Sequence, residues 1–354
     1  MIFWASFCAV LTFSFLILIK FRTFAKQLRN MVNLDFVQNT ISKELERLNE
    51  IIKEALVSNS SLMDLVTTSY LQSKGKQIRP MLVMLSAKVF SEITPTVLYA
   101  AASIEMLHNA SLIHDDVVDE SKLRRGNPTI NNIWDNRIAV LVGDFFVSGA
   151  LACGVKTGKM AIVKTMSALG SELALGEVEQ IDNARKHIVS EQRYFEIISQ
   201  KTASLFRSCM EVGGYAVDAP EEEMKGLLEY AQLLGICFQI KDDIFDYYDD
   251  KVIGKPTGND LREGKITLPL LYALDSSSAA DRDDMLALAQ KEELTTEEID
   301  RLIEFAKREG GIEYAYSKME QLRNRAAEII AGYPQNDAIR SLMDIFDYII
   351  ARKS

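Results

Sequence analysis

The chain has 354 residues, of which 48% are hydrophobic and 25% are charged, a composition that suits a globular protein with a large core. Its formal net charge of −10 argues against nucleic-acid binding, because phosphate backbones attract basic proteins. Four cysteines without CxxC spacing give neither a zinc signature nor a disulfide framework, which indicates a reducing compartment, and only three histidines disfavour a histidine-rich metal site.

Residues 1–19 form an unbroken apolar run that just reaches the length needed to span ~30 Å of hydrocarbon. Basic residues follow this run and none precedes it, which disfavours a secretory signal and places the rest of the chain in the cytoplasm. Two interpretations stay open for residues 1–30: an anchor that tethers the protein to the inner face of the membrane, or an upstream start wrongly included before Met31. The folded body is predicted to be a single cytoplasmic domain over residues 31–354.

The first predicted elements are helices. Apolar residues recur at steps of three and four from Phe36 to Leu56. Thr94 and Pro95 predict a helix start, with Thr94 as N-cap and proline in the first position. Neither glycine nor proline follows before Gly126, so one helix is expected to carry Asp115–Asp119.

Later elements continue this pattern. Asp218–Glu221 resembles a capping box that opens another helix, and Leu227–Asp250 is long and apolar. Thr295–Glu298 is predicted to cap a helix, whereas Asp275–Asp284 is predicted to be a loop. Because no strand-period run recurs and no Pro/Gly/Ser-rich linker divides the chain, we predict an all-α, single-domain bundle of about ten or more helices.

Two acidic motifs occur inside these apolar helices, at Asp115–Asp119 and Asp242–Asp246. Each begins with adjacent aspartates and has a third aspartate four residues after the first, so two carboxylates share one helix face. Like charges stacked in this way favour a compensating cation, and oxygen-only ligands suit Mg²⁺, which proteins hold with few carboxylates plus substrate phosphates. Surface acidic pairs are common, but two copies in apolar surroundings predict a diphosphate clamped through magnesium.

Four basic stretches supply what a diphosphate site needs. They are Gly75–Pro80, with two cations beside a turn, then Arg124–Gly126, Lys201–Thr202 and Gly254–Pro256. Arginine forks suit phosphate oxygens, although a single basic residue is more often a solvated surface group. Other phosphate chemistries are weakly supported, because the chain has no GxxxxGK[ST] loop.

Together these residues resemble the trans-isoprenyl diphosphate synthases, also called polyprenyl synthetases, from about Leu34 to the C-terminus. The matches are DDxxDxxxxRRG at Asp115–Gly126, FQxxDDxxD at Phe238–Asp246, GKxxRP at Gly75–Pro80, Lys201-Thr202, Gly254-Lys255 and Asp260–Lys265. The resemblance implies the isoprenoid synthase fold, in which the helices surround a central active-site cavity. It also implies that residues 31–354 form a polyprenyl synthetase catalytic domain.

The resemblance implies specific residue roles. The catalytic set would be Asp115, Asp116, Asp119, Lys201, Thr202, Gln239, Asp242 and Asp243. Three Mg²⁺ ions would be held, two by Asp115 and Asp119 and a third by Asp242 with help from Asp246. The diphosphate of an allylic substrate would be held by Arg124, Lys201, Gln239 and Lys255. Isopentenyl diphosphate would be held by Lys76, Arg79, His108 and Arg125.

Two positions depart from the family pattern. Lys74 stands where the family often has glycine, and Gln77 stands where it often has arginine. The loss of one cation predicts a modest decrease in affinity for isopentenyl diphosphate.

The resemblance implies a reaction that depends on Lewis-acid and electrostatic catalysis. Mg²⁺ and the cations make the allylic diphosphate a leaving group, and the Thr202 hydroxyl and Gln239 carbonyl stabilise the allylic cation that forms. The double bond of isopentenyl diphosphate attacks this cation, and the product then loses a proton to the released diphosphate, so no side-chain nucleophile is required. The resemblance also implies a homodimer.

Three alternatives remain. The first is a short-chain farnesyl or geranylgeranyl diphosphate synthase. The second is a non-catalytic subunit of a heteromeric synthase, although such subunits usually lack an acidic motif and this chain has two. A terpene cyclase is disfavoured, because it would have no use for the cations assigned to a second diphosphate.

The expected product is a long all-trans chain of the kind that forms quinone tails. Ala110 and Ser111 precede Asp115 by five and four residues, about 6–7.5 Å down the helix axis, and both are small. A tunnel beside this helix would therefore stay open, with Phe145 and Phe146 as candidates for a deeper floor. The range that the resemblance implies is about six to ten isoprene units. The alternative is that both small residues only permit close helix packing.

Overall fold

The computed structural model describes residues 34–72, 75–124, 126–186, 188–248, 257–291 and 293–352. Two predicted site residues, Arg125 and Lys255, lie outside the described residues, as does the apolar N-terminal segment.

The N-terminal part of the fold is a succession of helices broken by one small hairpin. The elements are α1 (Asp35–Thr40), α2 (Ser42–Ala55), α3 (Ser61–Gln72), α4 (Ile78–Phe90), α5 (Pro95–Val118), β1 (Leu123–Arg124), β2 (Asn127–Pro128), α6 (Ile130–Ile133), α7 (Asn136–Lys156) and α8 (Met160–Arg185). Strands β1 and β2 pair antiparallel.

The C-terminal part is helical throughout the described residues. It consists of α9 (Glu191–Ile198), a π-helical turn (Ser199–Ala203), α10 (Ser204–Ala216), α11 (Glu221–Phe245), α12 (Asn259–Arg262), α13 (Leu268–Ser276), α14 (Ala279–Ala289), α15 (Thr296–Arg308), α16 (Gly311–Ile330) and α17 (Asp337–Ala351). The predicted all-α fold class is confirmed, because the only strands in the described part of the chain are the two of the hairpin.

Long apolar helices form the core. Helix α5 packs along α7 and α4, while α10 packs against α4, α8 and α11. Helix α16 covers the other side of α11, and α17 closes the bundle against α4 and α11. The two helices that carry the acidic motifs, α5 and α11, both pack against α10.

Several local predictions can be compared with the structure. Helix α5 begins at Pro95 as predicted, but it ends at Val118, because Asp119 is its C-cap and Glu120 has a φ of +48° that no helix continues through. The capping box at Thr295 is confirmed, with both reciprocal hydrogen bonds to Glu298 present.

Two local predictions are wrong. Asp218 does not cap α11: it has a φ of +55°, its carboxylate pairs with Lys159, and the helix begins after Pro220. The predicted loop at Asp275–Asp284 is mostly helix, since α13 runs to Ser276 and the Ser278 side chain caps α14 by accepting from Asp281 N–H.

Helices α4 and α10 meet closely enough to give a stability prediction. A Cβ atom on Gly213 would lie 2.3 Å from the backbone oxygen of Val83, so Gly213→Ala must push the two helices apart. We expect the free energy of unfolding to fall by about 2–4 kcal/mol. Gly170→Ala is the matched control, because nothing lies within 4 Å of the position that its methyl group would take, and alanine favours the helix by about 0.5–1 kcal/mol. Denaturant unfolding of both variants checks this; equal stabilities would contradict the packing.

Candidate active site

The first acidic motif lies in the last turn of α5. Asp115 is half-buried, Asp116 is buried, and Asp119 is exposed, with its N–H donating to the Asp115 carbonyl at 2.8 Å. Asp116 accepts from Arg124, whose Nη2 is 2.8 Å away and whose Nε bonds both carboxylate oxygens. Arg124 on the hairpin is therefore fixed at the motif by an ion pair, while Asp115 and Asp119 remain one turn apart.

The second motif closes α11, and its three aspartates have different surroundings. Asp242 is half-exposed and pairs with Arg352 after α17. Asp243 is buried and accepts from the Tyr194 hydroxyl at 2.6 Å. Both Asp246 oxygens accept backbone N–H groups, from Asn259 at 2.9 Å and from the next residue at 3.0 Å, so this carboxylate holds the start of α12.

Lys201 and Thr202 lie on the π-helical turn between α9 and α10 rather than on a regular α-helix. Two glycines allow neighbouring helices to approach this turn. A Cβ on Gly176 of α8 would lie 2.9 Å from the Lys201 Cα, and one on Gly235 of α11 would lie 2.5 Å from the Ala203 Cα. Inserted turns of this kind are frequent at functional sites, where they re-aim side chains.

A chain of hydrogen bonds joins this turn to the second motif. The Thr202 hydroxyl donates to Gln239 Oε1 at 2.7 Å, and Gln239 Nε2 donates to Asp243 at 2.8 Å. Since Asp243 also accepts from Tyr194, its carboxylate acts as an acceptor on both oxygens and fixes the orientation of the Gln239 amide. The Gln239 carbonyl oxygen is thereby directed to Thr202.

These residues line a cavity of about 80 Å³. Its walls come from α8, α9, the π-helical turn, α11 and the segment around α12, and they include Gln180, Asn183, Tyr194, Ile198, Lys201, Thr202, Gln239, Asp243, Asp260 and Lys265. Two lysines and two carboxylates thus face one concave space.

Two lysines connect the acidic groups electrostatically. Lys201 pairs with Glu177, donates to Gln180 at 2.5 Å and lies near Asp115. Burial opposes the charge of Lys265, but Glu263, Asp260 and Asp119 together raise its pKa. Both lysines therefore lie among carboxylates, and both line the cavity, where they could bind a substrate anion.

Asp115 lies where negative charge is incompletely compensated. The pKa of this carboxyl is raised to about 6, mainly by burial and also by Glu177 and Asp119, against the opposing effects of Lys201 and Arg124. Burial also raises the pKa of Asp243. A divalent cation would relieve such a site, because it favours the ionised form of each nearby carboxylate.

Three of the residues assigned to isopentenyl diphosphate, Lys76, Arg79 and His108, lie in the described part of the chain. Lys76 lies over the Tyr348 ring at 5.3 Å, and Arg79 lies 5.5 Å and 5.7 Å from the rings of Phe206 and Phe238. Arg79 therefore lies beside Phe238, one turn before the second acidic motif. His108 is buried on α5, two turns before Asp115.

The donor set fits magnesium, although it does not form a complete cage. Within the described ranges, no three His, Cys, Asp or Glu side chains are grouped closely enough to hold a metal ion. The two motifs offer carboxylates, and protein cations already lie against them at Asp242 and near Asp119. This suits Mg²⁺, which takes one or two carboxylates plus substrate phosphates and water.

The fold and this arrangement of carboxylates and cations define a helical enzyme with a diphosphate-binding cavity. Residues 60–306 match the family described as polyprenyl synthetase. The chain is 32% identical to heptaprenyl diphosphate synthase component 2 from Bacillus subtilis, over 92% of each chain. The chain belongs to the polyprenyl synthetase family.

Solved structures agree. A polyprenyl synthase from Caulobacter crescentus, complexed with calcium and isoprenyl diphosphate, superposes with a TM-score of 0.86 at 29% identity, covering 91% of this chain and 99% of that one. A geranylgeranyl pyrophosphate synthase from Bacteroides thetaiotaomicron gives a TM-score of 0.78 at 39% identity, covering 90% and 98%.

Several residues at the site carry no role in the sequence prediction, among them Glu177, Tyr194, Lys265 and Arg352. Lys265 ends the matched motif at Asp260–Lys265, so that match could have assigned it a role. Glu177, Tyr194 and Arg352 are ordinary helix residues in the sequence, and only the packing of α8, α9 and α17 brings them to the motifs.

Proposed function

We propose that this protein is a Mg²⁺-dependent prenyltransferase that condenses isopentenyl diphosphate with an allylic diphosphate to give an all-trans polyprenyl diphosphate. The observation that carries this proposal is the cavity beside the second acidic motif, which Lys201, Thr202, Gln239 and Lys265 line. The same two lysines also lie near the first motif, Lys201 near Asp115 and Lys265 near Asp119. Side chains there can bind an anion and face an adjacent carbocation, and the family membership fits both tasks.

Asp115, Asp119 and Asp242 would hold three magnesium ions, with Asp246 assisting from its position at the start of α12. Bound magnesium supplies Lewis-acid neutralisation of the leaving diphosphate. Lys201 and Lys265 bind the diphosphate oxygens, and Arg124 stays at the first motif through Asp116.

The Gln239 and Thr202 oxygens would stabilise the allylic cation. Tyr194 and Gln239 both donate to Asp243, so the amide cannot rotate without losing a buried hydrogen bond. Helices α8, α9 and α11 form walls of the cavity, and keeping water out of it would protect the cation from being quenched.

The proposed product is long, as a quinone side-chain precursor would be. Ala110 is buried on α5, and Ser111 is half-buried with its hydroxyl donating to the His108 carbonyl, so neither places a bulky side chain below Asp115. The heptaprenyl relative supports this length. The geranylgeranyl synthase structure supports the alternative of a shorter product.

A homodimer through α7 completes the proposal. This helix packs along α5, yet four large apolar side chains point outward: Val140, Leu141, Leu151 and Val155 are 41%, 57%, 49% and 68% exposed. By length and composition α7 could also cross a membrane, and it is the single such helix in the part of the chain that the structure describes. Its packing on α5 favours a protein partner. The alternative partner is a different subunit, because the Bacillus relative is named as one component.

Membrane attachment through residues 1–30 remains a separate proposal. Full-length protein should resist carbonate extraction from membranes, whereas a chain that begins at Met31 should be extracted and equally active. Carbonate extraction of the full-length protein as well as the shorter chain would contradict the proposed anchor.

The test of the main proposal is the purified chain alone, given isopentenyl and farnesyl diphosphates with Mg²⁺. We expect diphosphate release and products of at least six isoprene units, about the range assigned above, and none after EDTA treatment. A sedimentation mass of twice 39.8 kDa would accompany this. Absence of turnover until a second protein is added would favour the non-catalytic subunit, and products of three or four units would favour the short-chain synthase.

A further inference from the structure

Arg352 lies just after the final helix and reaches into the second acidic motif. Its Nη2 is 2.5 Å from Asp242 Oδ1 and donates to the Phe238 backbone oxygen at 3.2 Å. The guanidinium carbon lies 4.2 Å from the centre of the Phe238 ring and 5.3 Å from that of Phe245. The far end of the chain thus delivers a cation to a carboxylate at the active site.

This ion pair is not an ordinary surface pair. The Arg352 side chain is 10% exposed, while that of Asp242 is 40% exposed. The buried Nε of Arg352 makes no hydrogen bond within the described part of the chain. One edge of the guanidinium is therefore bound strongly while another donor is unused, an arrangement that a different acceptor could satisfy better.

Asp242 is also the carboxylate proposed to hold magnesium. A carboxylate oxygen coordinates Mg²⁺ at about 2.1 Å with near-octahedral neighbours. A guanidinium in contact with the same carboxylate blocks part of that space and repels the ion. Metal binding at Asp242 and the Arg352 contact are therefore in competition.

The displaced arginine has other anion-binding groups beside it. Arg79 lies 5.7 Å from the Phe238 ring that Arg352 also contacts. Lys76 lies over the ring of Tyr348, a residue of α17 that precedes Arg352 by one turn. A diphosphate near these cations would accept the freed guanidinium, including its unused Nε.

We propose that Arg352 is an exchangeable counter-ion: it neutralises Asp242 while the site is empty and moves to substrate diphosphate when magnesium takes the carboxylate. This proposal rests on the proposed function. It makes the end of α17 a positioning element that links metal binding to diphosphate binding.

The test measures binding of Mn²⁺, as a magnesium substitute, by electron paramagnetic resonance on the full-length protein. For Arg352→Gln we expect Mn²⁺ alone to bind about three- to tenfold more tightly than to wild type. We expect inorganic diphosphate, added with saturating Mn²⁺, to bind more weakly than to wild type. A role in folding alone would shift both affinities in the same direction.

Two further variants make the result specific. Arg352→Lys keeps the charge and should bind Mn²⁺ close to wild type. Arg323→Gln removes the ion pair at 2.8 Å that ties α16 to Asp347 on α17, so it loosens the same helix without altering Asp242, and both affinities should stay unchanged.

Equal Mn²⁺ affinity in Arg352→Gln and wild type would overturn the proposal, as would the same change in Arg323→Gln. If Arg352→Gln does not fold, a weaker Mn²⁺ affinity in Arg352→Lys than in wild type would also overturn it. These readouts need no product, so a failure of the prenyltransferase assay is distinguishable from a failure of this inference.

Discussion

Asp115→Ala and Asp242→Ala are each expected to lower kcat by about a thousandfold, equivalent to about 4 kcal/mol of transition-state stabilisation. Each change removes one proposed magnesium ligand, so the charge of the departing diphosphate is less well neutralised. Steady-state release of diphosphate at saturating substrate and Mg²⁺ measures the effect.

The fold is expected to survive Asp115→Ala and even to gain stability. The folded-state pKa of Asp115 is raised to about 6, so above that pH the ionised carboxylate opposes folding, and alanine removes this cost. Thermal unfolding at pH 8 should therefore show an equal or higher Tm than wild type. Asp275→Ala is the control, since that side chain is 86% exposed and belongs to neither motif. Wild-type turnover in both motif variants would refute the metal assignment.

Ala110→Phe is expected to shorten the main product to about three or four isoprene units, because the ring would lie about 7.5 Å below Asp115 and obstruct a growing chain. Ala110 is buried, so packing strain of ~1–3 kcal/mol should accompany the change. Chromatography of dephosphorylated products after incubation with farnesyl diphosphate measures the length.

Ala102→Phe is the control that distinguishes obstruction of the growing product chain from packing strain in the core. Ala102 is equally buried on α5 but lies 13 residues before Asp115, so it should destabilise the fold without shortening the product as far. Unchanged product length in Ala110→Phe would show that Ala110 only permits close packing of α5 and α7.

Much of the fold could be predicted from local chemistry. Pro95 begins α5 and the Thr295 capping box begins α15, because each sets backbone geometry within a few residues. The predicted capping box at Asp218 was wrong because the short side chain that suits an N-cap also tolerates a left-handed φ. The sequence does not indicate which of the two conformations the surrounding structure selects.

The sequence could predict only those site residues that belong to recognisable motifs. Asp115–Asp119 and Asp242–Asp246 share the DDxxD pattern. Asp119 nevertheless ends its helix with an exposed side chain, whereas the Asp246 carboxylate caps α12. Tyr194 and Arg352 reach the site from 49 and 110 residues away in the chain, a separation over which side-chain periodicity carries no information.

The π-helical turn at Ser199–Ala203 has a consequence for how this protein can vary. Helix α9, the turn and α10 form one continuous rod, and the turn holds an extra residue relative to an α-helix. Removing one residue would rotate everything on one side by about 100° and shift it by about 1.5 Å. Tyr194 would then leave Asp243 while Ala203 stayed against Gly235. We therefore expect homologous sequences to differ in composition between Tyr194 and Ala203 but to contain no insertion or deletion there.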